Sequence, residues 1–281
     1  MASAGVVPPM ELNEWMADRQ MPFASVDQIG QWCGCEPRKV SRVLRRAREE
    51  GRMIRITRGG WVPYVERYGQ IESRCLLPRL MKHLGADYYI GYACGAAIHG
   101  ASHQAVQVTQ LAASKRLAPI NKGRNHICFV HKSALERFPT VERDMLTYGY
   151  GGRTLTFSTP EVTMMDIVQR PDLGGSWYNV ANIAAEMIDN PTSRPSPVID
   201  PVILAETALL YPVAVRQRAG YVLQEMSEHV EQPFDLSPLR ETIPFSAAAV
   251  NLERPARRRP RTFTYDARWR VRVEHPLDPD V

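Results

Sequence analysis

The sequence predicts a mixed α/β protein: an N-terminal winged helix-turn-helix, then a second α/β domain with a small sheet and several helices. Three observations carry this. Between Glu36 and Arg48, Val40, Val43, Leu44 and Ala47 recur at the spacing of one buried helical face, and everything off that face is polar, most of it cationic. A helix-capping sequence and a short apolar stripe precede that segment, and two strand-like runs around Arg58-Gly59-Gly60 follow it. Beyond residue 64, alternating strand-like runs are interleaved with capped helical ones, and 281 residues leave room for two modest domains.

Residues 1–9 read as a loose leader, and Met10 to Arg19 as a first helix with Leu12, Trp15 and Met16 on one side. Ser25-Val26-Asp27-Gln28 has the form of a capping box, in which hydroxyl and amide satisfy each other's backbone donors. Val26, Ile29 and Trp32 supply the stripe of the scaffold helix that it opens, which ends near Gly34. Pro37 suits the first turn of the next helix, where its missing N–H costs nothing. Arg38, Lys39, Ser41 and Arg42 then fall in the first turns, the positions that a recognition helix points into the major groove. Met53 to Thr57 and Trp61 to Pro63 form the wing, with glycines supplying the positive φ that a tight turn requires.

Charge supports the same reading. From Glu36 to Pro63 there are nine Lys/Arg against three Asp/Glu, whereas Tyr64 to Val250 carries seventeen against eighteen. The segment from Leu252 to Val281 has eight Arg against five acids, so the net charge of +5 is concentrated at the two ends. Such a distribution is an electrostatic footprint for phosphates. The expected domains are 1–63 (winged helix), 64–250 (α/β) and 251–281 (a basic β-hairpin tail packed on the second domain).

In the second domain, Tyr64 to Gln70 reads as a connector and Ile71 to Leu84 as an amphipathic helix with Pro78 as an irregularity. Tyr88 to Gly100, small and apolar, is expected to be a tightly packed buried helix. The runs starting at Val106, Ile127 and Leu155 are strand candidates. Thr159-Pro160-Glu161 is a helix start with a hydroxyl cap, a proline and a carboxylate at the positive end of the dipole. Helices are expected at Trp177–Ile188, Asp200–Tyr211, Val213–Met226 and Ser237–Ile243, with a proline-rich loop at 191–201. In the tail, Arg257, Arg258, Arg259 and Arg261 precede two strands, 262–265 and 269–273, around a turn at 266–268. Trp269, Val271 and Val273 are expected to face inward, and Arg268, Arg270 and Arg272 outward.

Several chemistries find no support. The five cysteines fit no paired framework, and free thiols in a reducing cytoplasm are the simplest reading. Cys33-Gly34-Cys35 is too short-spaced for a zinc knuckle and has no partner pair. No run approaches the roughly 18 apolar residues of a membrane-spanning helix, so a cytoplasmic protein is expected. A nucleotidyltransferase would need a scaffolded Asp-x-Asp for its metal ions. Gly175-Ser176 is present, but the only Asp-x-Asp is Asp278-Pro279-Asp280 at the terminus. His99 and His103 read as structural histidines, and Tyr148 to Gly152 lacks the strand-then-helix context of a nucleotide loop. The expectation is a protein that is not an enzyme and carries no cofactor or metal.

One further pattern spans residues 10–275 in order. It comprises Tyr88-Tyr-Ile-Gly-Tyr92, Ala96-Ala-Ile-His99-Gly100, Phe157-Ser-Thr159-Pro160-Glu161, Arg170-Pro171-Asp-Leu-Gly174-Gly175, Arg218-Ala-Gly220-Tyr221-Val222-Leu223 and Asp266-Ala-Arg-Trp269-Arg-Val271-Arg-Val273. With the winged helix in front, the chain resembles the AbiEi family of type IV toxin-antitoxin antitoxins. It departs from the family pattern at Val162, where an arginine is usual, and at Glu274, where an asparagine is common. The resemblance implies a winged-helix domain that represses its own operon and a second domain that counteracts a nucleotidyltransferase toxin encoded beside it. A free-standing winged-helix regulator, or an interaction module that neutralises a toxin by direct contact, are the alternatives. The expected partner is double-stranded DNA of the chain's own promoter, with two copies on paired half-sites. Arg38, Lys39, Ser41 and Arg42 are expected at base edges, and Arg45, Arg46, Arg55 and Arg58 at phosphates, with the tail arginines as a second backbone contact.

Overall fold

A computed structural model describes residues 8, 11–66, 72–102, 106–147, 151–189, 198–253, 262–277 and 279. The protein is mixed α/β, with three sheets among the described residues. It divides into two compact units: residues 1–89, 107–135 and 142–156 form the first, and 90–106, 136–141 and 157–281 the second.

The first unit opens with α1 (Leu12–Asp18), β1 (Ala24–Ser25), α2 (Val26–Cys33), α3 (Pro37–Glu49), β2 (Met53–Thr57) and β3 (Gly60–Pro63). The three strands pair in the order β1-β3-β2, antiparallel throughout. One core joins these elements: Leu12, Met16, Ile29, Val40, Leu44 and Trp61 are all buried in it. Helix, helix and hairpin follow in this order, with a strand before α2 pairing with the second hairpin strand, an arrangement compatible with the expected winged helix-turn-helix. Next come α4 (Ser73–Leu84), which passes through Pro78 without a break, and β4 (Tyr88–Ile90).

β4 belongs to a six-stranded sheet with β5 (Thr109–Ala113), β6 (Ile120–Lys122), β7 (Asn125–His131), β8 (Thr140–Thr147) and β9 (Gly151–Ser158), in the order β6-β7-β5-β4-β9-β8. β5 and β7 run parallel, while β6 and β7 form an antiparallel hairpin. Two expectations fail here. Residues 88–100 are not one helix: Tyr88–Ile90 is strand, Gly91 is an extended N-cap, and the helix α5 occupies only Tyr92–Ile98. Nor does β5 alternate, since every residue from Thr109 to Ala113 is buried, as for an interior strand covered on both faces.

The second unit is mostly helical: α5, α6 (Pro160–Gln169), α7 (Trp177–Ile188), α8 (Pro201–Ala208), α9 (Val213–His229) and α10 (Ser237–Glu241). Glu161 to Val168 is buried without interruption, so α6 is the central helix, and α5, α7, α8 and α9 pack around it. Its start is as the sequence implies: Thr159 Oγ1 accepts from the Val162 amide at 3.4 Å. Ser176 and Asp200 cap α7 and α8 in the same way. Gly175-Ser176 is thereby a helix cap.

β10 (Val250–Asn251), β11 (Thr264–Asp266) and β12 (Val271–Val273) complete the unit, with β12 between a parallel β10 and an antiparallel β11. Trp269, Val271 and Val273 are buried as expected, but the turn is longer than expected and includes Trp269 and Arg270. Arg270 does not simply face outward: its guanidinium donates to the carbonyls of Phe245 and Ala247, holding that segment in place. Arg268 and Arg272 are exposed.

Candidate nucleic-acid interface

The joint between α2 and α3 is set by local chemistry. Ser25 Oγ accepts from the Gln28 amide (3.2 Å) and Gln28 Oε1 accepts from the Ser25 amide (2.9 Å), closing the capping box. α2 ends at Gly34, whose φ of +57° is left-handed, and the Cys35 amide reaches back to the Gly30 carbonyl at 3.0 Å. A Cβ on Gly30 would stand 3.4 Å from Val40 and from the Cys35 carbonyl, so α3 crosses α2 at close range.

α3 turns Val40, Leu44 and Ala47 into the core, with Val43 half-buried at the boundary. Arg38, Lys39, Ser41, Arg42, Arg45, Arg46 and Arg48 are all exposed on its other side. The structure therefore brings every helix residue expected at the interface to one solvent-facing surface. One of them is already engaged: Arg46 Nε donates to Glu50 at 2.7 Å, and Glu50 also accepts from Arg52. Hydrogen bonds from Arg46 and then Arg52 hold the Glu50 carboxyl below its usual range. Both groups are exposed, so the pair contributes little to stability.

The wing is short and braced. Its turn is Arg58-Gly59, and only Gly59 adopts a positive φ, +74°. Gly60 is required for another reason, because a Cβ there would lie 2.7 Å from the Phe23 ring and from the Thr57 methyl. The Val26 amide donates to the Gly59 carbonyl (2.9 Å), and His83 Nε2 of α4 bonds the Arg58 carbonyl (3.0 Å). Arg55 and Arg58 remain exposed. Trp61 is buried in the wing core.

Arg257, Arg258, Arg259 and Arg261 lie outside the described residues, as does His103. His99 is structural: its Nε2 bonds the Ser158 carbonyl at 2.8 Å. None of the five cysteines is in a disulfide, and Cys35 donates to the Cys33 carbonyl. Among the described residues, one group has metal-ligand proximity, Glu253, Glu274 and His275. Its histidine already pairs with Glu253 at 3.1 Å. Val162, where the family pattern has an arginine, is fully buried. No helix among the described residues is long and apolar enough to cross a membrane.

Residues 89–225 match the AbiEi antitoxin C-terminal domain. No curated protein matches the chain. Among solved structures, the RV2827C protein from Mycobacterium tuberculosis has a similar fold, with a TM-score of 0.65 and 15% identity over 95% of this chain and 92% of that one.

Proposed function

We propose, from the match of residues 89–225 to the AbiEi antitoxin C-terminal domain, that the chain is a DNA-binding antitoxin that represses its own operon and counteracts a nucleotidyltransferase toxin encoded beside it. The observation that carries the DNA-binding half is the solvent-facing cationic side of α3, flanked by Arg55 and Arg58 of the wing. In this reading residues 1–63 are the DNA-binding domain, 64–250 the antitoxin domain and 251–281 a basic tail. Arg38, Lys39, Ser41 and Arg42 meet base edges in the major groove, where arginine pairs with the two acceptors of guanine. Arg45, Arg46, Arg55 and Arg58 meet phosphates, and Arg257, Arg258, Arg259 and Arg261 add a backbone contact. Two copies occupy paired half-sites, as is usual for this class of reader.

The test is a salt-dependent titration of the full chain against its own upstream DNA and a scrambled duplex of equal length. Tighter binding to its own promoter, falling steeply with salt, is expected. Equal, weak binding to both duplexes overturns the repressor reading and leaves toxin neutralisation by contact. Growth rescue on co-expression with the neighbouring nucleotidyltransferase tests the antitoxin half.

A further inference from the structure

α4 and the start of α2 wall a cavity of about 770 Å³, within the roughly 300–1,000 Å³ of small-molecule sites. Cys75, Arg79, Lys82 and His83 recur at three- and four-residue intervals and form one stripe of α4, which faces the cavity, while Leu76, Leu77, Leu80 and Met81 take the buried side. Arg19, just beyond the end of α1, and Ser25 and Gln28 of the capping box supply further donors. Among the described residues every charged side chain that lines the cavity is a cation.

These groups already have contacts. Arg19 lies over the Trp15 ring at 4.4 Å, Arg79 is engaged elsewhere in the fold, and Ser25 and Gln28 satisfy each other's amides. What the cavity offers an anion is donor capacity beyond those contacts, since a guanidinium carries five N–H groups and an ammonium three. Planar guanidinium forks match pairs of phosphate oxygens, and such charge-assisted bonds are the strong ones.

The wall of the cavity is also the support of the wing. His83 lines it and donates through Nε2 to the Arg58 carbonyl, which can only accept. The His83 ring lies 5.4 Å from that of Phe23, which lines the cavity as well and confronts Gly60 on the wing. A Cβ on Gly59 would stand 3.5 Å from His83. A ligand that draws His83 or Phe23 toward itself therefore pulls on the turn that carries Arg58.

We propose that this cavity binds a small ligand carrying two or more phosphate groups, held by Arg19, Arg79 and Lys82, and that its occupancy weakens the grip of the wing on DNA. The second half rests on the DNA-binding reading above. A bound polyanion repels the DNA backbone from the same small domain, and its phosphate oxygens compete with the neutral Arg58 carbonyl for the His83 N–H.

The experiment is a calorimetric titration of the full chain, without DNA or divalent cations, using tripolyphosphate, ATP and inorganic phosphate as probes. One tripolyphosphate is expected per chain, with inorganic phosphate weaker by about tenfold or more because it reaches fewer of the charge-assisted donors. ATP bound as tightly as tripolyphosphate assigns the site to the phosphates alone; tighter ATP binding assigns it to a nucleotide. Arg79→Gln/Lys82→Gln, and Lys82→Glu as a single exposed change, are expected to lose the site, whereas Arg45→Gln/Arg46→Gln on α3 is expected to keep it. No saturable binding by wild type, or wild-type binding in both α4 variants, overturns the proposal, and a failure of the repressor reading leaves this result untouched. In promoter titrations at equal ionic strength, tripolyphosphate should weaken wild type more than the α4 variants. Equal weakening would mean direct competition with DNA and overturns the link to the wing.

Discussion

The indole of Trp269 fills the space that a side chain at position 220 would need: a Cβ on Gly220 would stand 2.1 Å from its ring. The ring is wholly buried, its Nε1 donates to Gln224 Oε1 (2.7 Å), the residue's amide donates to Asp266 (2.6 Å), and its carbonyl accepts from Gln217 (3.1 Å). α9 and the turn before β12 are therefore locked by one ring. Gly220→Ala should destabilise the chain by about 3 kcal/mol, at the upper end of overpacking costs, as measured by urea unfolding. In a Trp269→Leu background the same change should cost much less. Equal costs in both backgrounds would show that the ring is not what excludes the methyl.

This packing also shows what the sequence makes legible. Capping and helical period are local, so Ser25-Gln28, Thr159-Pro160 and Asp200-Pro201 mark their helices within a residue or two. The cationic side of α3 is equally plain, because the buried Val40, Leu44 and Ala47 fix which residues face solvent. Residues 88–100 mislead because strand β4 and helix α5 are both buried, and a uniformly apolar run has no period to distinguish them. β6 and β8 give no strand signal because they lie at the two ends of the sheet order and are polar, as Asn121-Lys122 and Glu142-Arg143-Asp144 show. The approach of Gly220 to Trp269 joins residues 49 apart, and nothing in either neighbourhood announces it.

Gly60 is the wing's counterpart to Gly220. Its α-hydrogens face the Phe23 ring, so Gly60→Ala should push the ring or the hairpin aside at a cost of about 1–3 kcal/mol. The DNA affinity of the folded protein should fall with it, because the turn that carries Arg58 is displaced. Gly51→Ala is the control: a Cβ there meets nothing within 4 Å, and only the φ of +71° opposes it. Similar melting temperatures for Gly60→Ala and wild type would mean that Phe23 yields freely.

Glu225 on α9 is held in a negative neighbourhood. Burial first, then the charges of Glu228 and Asp266, raise its pKa, against a lowering hydrogen bond from Tyr221. Burial first, and then the Glu225 charge and hydrogen bond, raise the pKa of the Tyr221 phenol, which keeps its proton. A carboxyl whose pKa is higher in the fold than in the unfolded chain favours folding while protonated, and that contribution is lost as pH rises through the raised value. Glu225→Gln should therefore raise the melting temperature at neutral pH, with the gain shrinking as pH falls to the ordinary carboxylate value of about 4.3. A pH-independent gain, or a loss at pH 7, would contradict this account.

Arg42 and Arg58 are both exposed but sit differently, Arg42 in the first half of α3 and Arg58 in the β2–β3 turn, and the proposed function gives the first a base edge and the second a phosphate. Base contacts carry sequence information and phosphate contacts do not. Arg42→Ala should cost about 1–3 kcal/mol on the promoter duplex and relax sequence choice, with little change on scrambled DNA. Arg58→Ala should weaken both duplexes alike and make the salt slope shallower by about 1. Since His83 binds the Arg58 carbonyl and not its side chain, the alanine leaves the wing turn braced, and the weakening reports the guanidinium itself. Equal weakening on promoter and scrambled DNA for both variants would remove the division between a reading helix and a positioning wing.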